Sequence, residues 1–223
     1  MGMALHAQKN LHQIGVHFAV SNLTNINALQ SANNPITGIF QVSPGIDYHH
    51  YLCDRVALFT ALDFTVFKEK YQNDQLRWPS EFDGMGGWVP DSKLPHQAEI
   101  NISYYFLDWQ VGAKWILAEQ RFGYFIMPYL ESNFFIDRQF QTKYIYDDGH
   151  AESASSSKDT ENSNTFRKVN LSVGLGVGLD YHLAPCLSLY FMPQIEYMLF
   201  NAIENEQGRF LNYGARLGLW YDF

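Results

Sequence analysis

The stretch FLNYGARLGLWYDF, residues Phe210 to Phe223, decides the fold of this chain. From Leu211 onward every odd position is apolar, whereas the even positions include Asn212 and Arg216. A period of two predicts an extended strand whose two faces meet different surroundings. Because exposing such an apolar ladder to water is unfavourable, the strand is expected to pair with others and turn this face away from water.

The composition favours a single β-structure with an apolar surface. The chain has 223 residues, of which 47% are hydrophobic, 16% aromatic and 17% charged, against about a quarter charged in soluble proteins. No run approaches ~18 consecutive apolar residues, so any membrane span must consist of strands. The net charge of −8 argues against nucleic acid as a partner.

Period-two alternation predicts eight strands in one domain. They lie at residues 11–22, 37–48, 56–67, 98–117, 122–144, 169–181, 187–199 and 210–223. In the fourth of these segments the apolar alternation changes phase near Phe106, which predicts a β-bulge. Residues 1–10 are interpreted as a signal-peptide remnant or an added tail, and residues 11–223 as the barrel domain.

The connections between these strands alternate in length. Residues 68–98 and 147–167 are polar or rich in turn-forming residues and are predicted to be long loops, the second one mobile. The turns near residues 49–55, 118–121 and 183–186 are short. Long loops at one end and short turns at the other are typical of outer-membrane barrels.

These strands and the aromatic end of the chain resemble those of small eight-stranded bacterial outer-membrane barrels of the OmpA/OmpX type, and of poorly characterised barrel families of Bacteroidota. The predicted fold class is all-β, an eight-stranded antiparallel up-and-down transmembrane β-barrel. The resemblance implies a place in the bacterial outer membrane, among lipid and lipopolysaccharide, with turns and termini periplasmic and long loops extracellular. It also implies that Leu219, Tyr221 and Phe223 form the signal read by the barrel-assembly machinery.

Periodicity alone leaves open a soluble, lipocalin-like barrel with the apolar face inside. The less apolar face argues against it, because it combines many glycines with large aromatic side chains. Those residues are Gly15, Gly45, Gly112, Gly174, Gly176, Gly178 and Gly214, with Phe59, Phe125, Tyr129, Tyr190 and Trp220. Such a mixture suits a narrow interior that side chains must fill.

The interior is predicted to hold an ion-pair network made of Arg216, Glu196, Glu131, Asp63 and Lys114. Arg216 lies on the strand next to Glu196, so a pair between them is expected, with Glu131 or Asp63 in reach across the lumen. Buried carboxylates require partners, so the network is interpreted as a plug that occludes the lumen. A narrow channel for ions or small solutes is the alternative.

A lipid-modifying enzyme is a further alternative, because such barrels can use a His/Ser pair. Here His17 and Ser21 share one strand face but stand ~13 Å apart, so no catalytic residues and no cofactor are predicted. The adjacent His49 and His50 point to opposite sides of their strand, so no metal site with His182 is expected.

The two cysteines, Cys53 and Cys186, lie four strands apart in the predicted ring. They should therefore be free thiols, because a disulfide requires α-carbons within ~7 Å.

The first long loop carries aromatic residues, Trp78, Phe82 and Trp88, between glycines and prolines. Exposed aromatic clusters often mark interfaces, so these residues are candidates for binding a protein partner. The loop could instead pack on itself over the mouth of the barrel. The functional prediction is an outer-membrane structural or interaction subunit.

Overall fold

The computed structural model describes residues 11–25, 39–73, 79–82, 85, 88–90, 94–118, 121–146, 149–156, 167–201 and 209–223. The strands are β1 His12–Asn25, β2 Ile39–Cys53, β3 Val56–Asn73, β4 Pro79–Phe82, β5 Trp88–Pro90, β6 Gln97–Ala118, β7 Phe122–Ile145, β8 Ala151–Ser156, β9 Val169–Ala184, β10 Leu187–Met198 and β11 Phe210–Asp222. No helix in these ranges is long and apolar enough to cross a membrane.

Eight of these strands close into an antiparallel ring, in the order β1, β2, β3, β6, β7, β9, β10, β11 and back to β1. The closing pair is long, running from Gln13 opposite Asp222 to Asn25 opposite Phe210. The predicted eight-stranded antiparallel barrel is therefore confirmed. Closure matters because it leaves the backbone donors and acceptors of these strands without an open sheet edge.

The two faces of the strands differ as the alternation predicts. On β1, Ile14, Val16 and Phe18 point outward and are 48%, 58% and 48% exposed, whereas Gln13 and His17 point inward and are 3% and 6% exposed. The same division holds along β9, β10 and β11. The ring therefore has an apolar outer surface and a mixed polar and aromatic interior.

The bulge predicted near Phe106 is wrong, because the side chains of β6 keep one phase through that point. Ile102 and Tyr104 are buried on the same side of the strand as Asp108 and Lys114. The apparent slip in the sequence arises because this strand carries apolar residues on its inner face before Phe106 and polar ones after it. Hydrophobicity alone therefore misassigned the first half of the strand to the outside.

Parts of the two predicted long loops are strands. Within residues 68–98, β3 continues to Asn73, β6 begins at Gln97, and β4 and β5 pair as a small antiparallel sheet. Within residues 147–167, β8 pairs with the end of β7, from Phe140 opposite Ser156 to Ile145 opposite Ala151. The polar and Ser-rich composition concealed these strands, because a strand away from an apolar core does not need a hydrophobic face. The short turn after β2 is Asp54–Arg55 alone, so Cys53 lies at the strand end.

The chain divides into two compact units. The barrel unit comprises Met1–Phe67, Tyr105–Ile136 and Asn164–Phe223, and the second unit comprises Lys68–Tyr104 and Asp137–Ser163. In the second unit Tyr104 donates a hydrogen bond to Glu69 at 2.9 Å, and Lys70 lies 3.4 Å from Glu99. The sites described below belong to the barrel unit.

Glycines make room for the aromatic side chains of the interior. A Cβ on Gly174 would collide with the ring of Tyr129, and one on Gly178 with the ring of Phe125. The interior cluster comprises Phe59, Phe125, Met127, Tyr129, Tyr190, Met192 and Trp220, each 4% exposed or less. An eight-stranded barrel is only wide enough for side chains to fill, and here large residues interlock with glycines on neighbouring strands.

Candidate functional site in the barrel interior

Asp47 lies at the centre of the hydrogen-bond network nearer the short turns. One of its oxygens accepts from Nε2 of His49 at 2.9 Å and from Nε1 of Trp220 at 2.8 Å. The other is 2.9 Å from Nδ1 of His17 and accepts from the Tyr190 hydroxyl at 3.3 Å. Both oxygens are thus occupied, which is what a buried carboxylate requires to remain charged away from water.

Asp63 is the second carboxylate of this network and is shared by three side chains. Its oxygens lie 2.6 Å from Nε2 of His17, 2.9 Å from the Arg216 guanidinium and 3.2 Å from the amide nitrogen of Gln110. Asp63 and Arg216 are each only 2% exposed. His17 therefore bridges Asp47 and Asp63 with its two ring nitrogens, and the imidazole fixes the relative position of three strands.

Arg216 pairs with Asp63, across the lumen, and its second hydrogen bond goes to Oε1 of Gln110 at 3.0 Å. Glu196, on the adjacent strand, instead accepts from Tyr129 at 2.6 Å and from Asn212 at 2.6 Å. The residues of the predicted network thus share one interior. The direct partner of Arg216, however, is Asp63, whereas the sequence predicted Glu196 on the adjacent strand.

Glu131 joins this network through amides. Gln110 donates to it at 2.6 Å, and the amide nitrogen of Asn133 donates both to Glu131 and, at 3.0 Å, to Asp108. Gln110 also contacts Asp63, so a single amide links two carboxylates. These amide links could not be predicted, because an inward Gln or Asn on a strand does not reveal which acid it will contact.

Lys114 lies towards the short turns, away from Arg216. Its ammonium nitrogen is 3.7 Å from Asp180, 3.5 Å from the centre of the Trp220 ring and 4.8 Å from the centre of the Phe125 ring. This cation lies against a carboxylate and aromatic faces, which stabilise it. Lys114 therefore lies in the part of the interior nearer the short turns, where its charge balances that of Asp180.

The histidines considered for catalysis or metal binding have other hydrogen-bond partners than the predicted ones. His17 and Ser21 are both buried, but His17 is hydrogen-bonded to Asp47 and Asp63, and His49 is held by Asp47. The structure does place His182 and Ser188 together, with Nδ1 2.7 Å from the serine Oγ. Sequence reasoning missed this pair because the two residues lie on different strands.

Within the part of the chain that the structure describes, no group of three His, Cys, Asp or Glu side chains is arranged to hold a metal ion. Cys53 and Cys186 are free thiols.

The three residues of the predicted assembly signal lie on the outer face. Leu219, Tyr221 and Phe223 are 40%, 49% and 54% exposed. The ring of Phe223 stacks on His12 at 5.7 Å between centroids, at the seam where the last strand meets the first.

The candidate loop residues lie partly outside the described residues. Trp78 is outside them, as are residues 1–10 with the predicted signal remnant or tail. Phe82 and Trp88 are backbone partners in the small β4–β5 sheet of the second unit.

A cavity of about 40 Å³ remains in the half of the barrel unit nearer the long connections. Its polar wall includes Asp108, Glu131, Glu196 and Asn212, and its apolar wall includes Phe67, Phe106 and Phe210. Such a space holds one or a few water-sized groups.

Comparison with known proteins shows likeness in structure only. No protein-family model and no curated protein sequence matches the chain. Neisserial surface protein A is 13% identical with a TM-score of 0.49, covering 95% of this chain and 97% of that one. Ail, the attachment invasion locus protein of Yersinia pestis, is 13% identical with a TM-score of 0.43, covering 96% and 99%. A major outer membrane protein from Thermus thermophilus is 16% identical with a TM-score of 0.44, covering 95% and 99%. Likeness of this degree carries no conclusion about what the chain binds or does.

The closed ring itself has the architecture of a small outer-membrane β-barrel. Its outer surface carries apolar residues such as Leu175, Val177 and Leu217, which are 44%, 53% and 52% exposed. Its interior carries the buried charges. This arrangement is the reverse of a water-soluble barrel, and it places the chain in an outer membrane, in contact with lipid.

Proposed function

We propose that the protein is a structural or interaction subunit of the outer membrane whose lumen does not conduct solutes. The observation that carries this proposal is the interlocked interior. The rings of Tyr190 and Trp220 stack at 3.9 Å between centroids, and Phe125 packs on Trp220 at 5.3 Å. Next to these rings the salt bridge between Arg216 and Asp63 spans the lumen. A pathway for ions would have to break a buried ion pair and displace packed rings.

The proposed orientation places the short turns and both termini in the periplasm and the long connections outside the cell. The seam residues Tyr221 and Phe223 then lie at the periplasmic rim, where the assembly machinery would read them. Extracellular segments would be free to bind a protein partner, and the aromatic residues Trp78, Phe82 and Trp88 are the proposed contacts. Deleting residues 78–90 should leave the barrel folded and abolish co-purification of that partner.

We also propose that the protein is not an enzyme. The His182 and Ser188 pair is the arrangement that most resembles a catalytic one, but Ser188 is 1% exposed and so is shielded from a lipid acyl chain. Incubation with lipopolysaccharide followed by mass spectrometry should show no loss or gain of acyl chains. A change in acylation that disappears in Ser188→Ala would contradict this part of the proposal.

Conductance in planar bilayers tests the main proposal. The intact protein should give no sustained single-channel currents, whereas Trp220→Ala should increase leakage by removing a ring from the interior stack. Tyr221→Ala, which removes an aromatic ring from the outer face of the same strand, is the matched control and should remain silent. Sustained currents from the intact protein that disappear in Gly176→Leu would show that the lumen is a channel.

A further inference from the structure

The cavity near the long connections has two chemically different walls. Its floor contains three carboxylates, Asp108, Glu131 and Glu196. Its rim is apolar and aromatic, and the rings of Phe67 and Phe106 stack there at 5.6 Å between centroids. The packed rings and the Arg216–Asp63 salt bridge of the proposed plug are not among the residues that line this cavity.

The lining of this cavity contains acidic side chains but no lysine or arginine. The buried cations of the described interior are engaged elsewhere, since Arg216 is bound to Asp63 and Lys114 lies beside Asp180. The floor carboxylates instead accept hydrogen bonds from neutral groups, such as Asn133 at Asp108 and Tyr129 at Glu196. Neutral donors reduce the cost of burying carboxylates but do not cancel their mutual repulsion. A cation in the cavity would offset the repulsion between the carboxylates.

Asn212 supplies an independent observation that points to a ligand. Its side chain lines the cavity and is 8% exposed. Its amide nitrogen donates to Glu196 at 2.6 Å, but its Oδ1 is buried and has no hydrogen-bond partner. Because the nitrogen is held by the carboxylate, the oxygen is turned away from it and offers an unused acceptor. Buried acceptors are normally satisfied, so this one indicates a missing donor.

We propose that this cavity binds the primary ammonium group of a small amphipathic cation. The ammonium would donate to Asn212 Oδ1 and to the floor carboxylates, and its alkyl part would lie against Phe67, Phe106 and Phe210. A primary ammonium has three donors and no acceptor, which matches a floor rich in acceptors. Aromatic faces stabilise a neighbouring cation. A metal ion fits less well, because the described residues offer no metal-binding group of three acidic, histidine or cysteine side chains.

Methionine methyl NMR of the full-length protein in dodecyl maltoside micelles at neutral pH tests the proposal. The probe is n-butylamine, which is an ammonium ion at this pH, and the matched neutral probe is n-butanol. Met198 lines the cavity, whereas Met192 belongs to the packed interior cluster and serves as an internal reference. The amine should shift the Met198 signal saturably and leave Met192 unchanged, and the alcohol should do neither.

Variants locate the site. Asp108→Asn and Glu196→Gln keep the side-chain size and should weaken the apparent affinity for n-butylamine by roughly tenfold or more, as for loss of a hydrogen bond to a charged group. Asp180→Asn makes the same chemical change outside the cavity and should alter the affinity less than about twofold, because it adds no cavity contact. Since the wild-type titration stands alone, the proposal is testable even if a variant fails to fold.

Three results would overturn the inference. Equal shifts with n-butanol would make the cavity a simple apolar site. A Met198 shift with calcium or magnesium ions but none with the amine would make it a metal site. No shift with any probe would mean that the carboxylates hold protons. None of these results bears on conductance, so the inference and the proposed closed lumen stand or fall separately.

Discussion

Replacing Arg216 by methionine removes the guanidinium and keeps an apolar stem of similar length. Arg216 is 2% exposed and donates to Asp63 at 2.9 Å and to Gln110 at 3.0 Å. Removing one partner of a buried ion pair costs about 3–5 kcal/mol, because the other charge stays buried. Here Asp63 keeps His17 and Gln110 as neighbours, so we expect the lower end, about 3 kcal/mol.

Reversible urea unfolding in lipid vesicles, followed by tryptophan fluorescence, measures this loss. With a denaturant slope of about 1–3 kcal/mol per molar urea, the midpoint should fall by about 1–3 M. Arg209→Met is the matched control, because Arg209 is exposed and its hydrogen bond to Tyr197 lies at the surface. It should change stability by less than about 0.5 kcal/mol.

A double-mutant cycle identifies the partner. The cycle of Arg216→Met with Asp63→Asn should give a coupling energy of about 1–3 kcal/mol, whereas the cycle with Glu196→Gln should give a smaller one. Equal coupling to both acids, or additive effects at Asp63, would refute the assignment of Asp63 as the direct partner. An unchanged midpoint for Arg216→Met would refute the view that the buried pair stabilises the barrel.

Three other predictions test the surface, the glycines and the chain end. Leu217→Arg, at the middle of the outer face, should lower the free energy of unfolding in vesicles by about 2–4 kcal/mol, whereas Leu11→Arg at the strand margin should lower it by about 0–1 kcal/mol. Equal small losses in an unfolding titration would argue against a lipid-facing surface. Gly112→Ala should destabilise the barrel by about 1–3 kcal/mol and by more than Gly176→Ala. A Cβ would meet neighbouring backbone at Gly112 but a flexible methionine side chain at Gly176. Chemical denaturation of the two variants compares these losses of stability. Deleting Phe223 should reduce assembly into cellular outer membranes but leave refolding of the purified protein unchanged, as membrane fractionation and in vitro folding would show.

Several structural features could be predicted from particular residues. The strict alternation in β9 and β11 identified strands and assigned Gly174, Gly178 and Arg216 to the interior. The combination of glycines with Tyr129 and Phe125 predicted an interior occupied by side chains. These inferences depend on the side of the sheet to which a side chain points, and this follows from position along the strand alone.

Other features could not be predicted because the local pattern is ambiguous. Around Phe106 an apolar inner face resembled an outer one, and the residues of β8 resembled a mobile loop. The pair of His182 and Ser188 and the bridge of His17 between two aspartates join residues from different strands. Such contacts leave no signal in the spacing of residues along one strand.

The sequence by itself determined the number of barrel strands, the inner and outer faces of most of them, and the acidic character of the interior, because each depends on a period-two pattern. Only the tertiary structure decided that Arg216 binds Asp63, that Glu196 is held by neutral donors, and that Asn212 lines a cavity while its Oδ1 has no hydrogen-bond partner. The physical reason is that cross-lumen neighbours depend on the stagger of all eight strands around the ring. That stagger is fixed only when the first and last strands close, with Ala19 opposite Arg216.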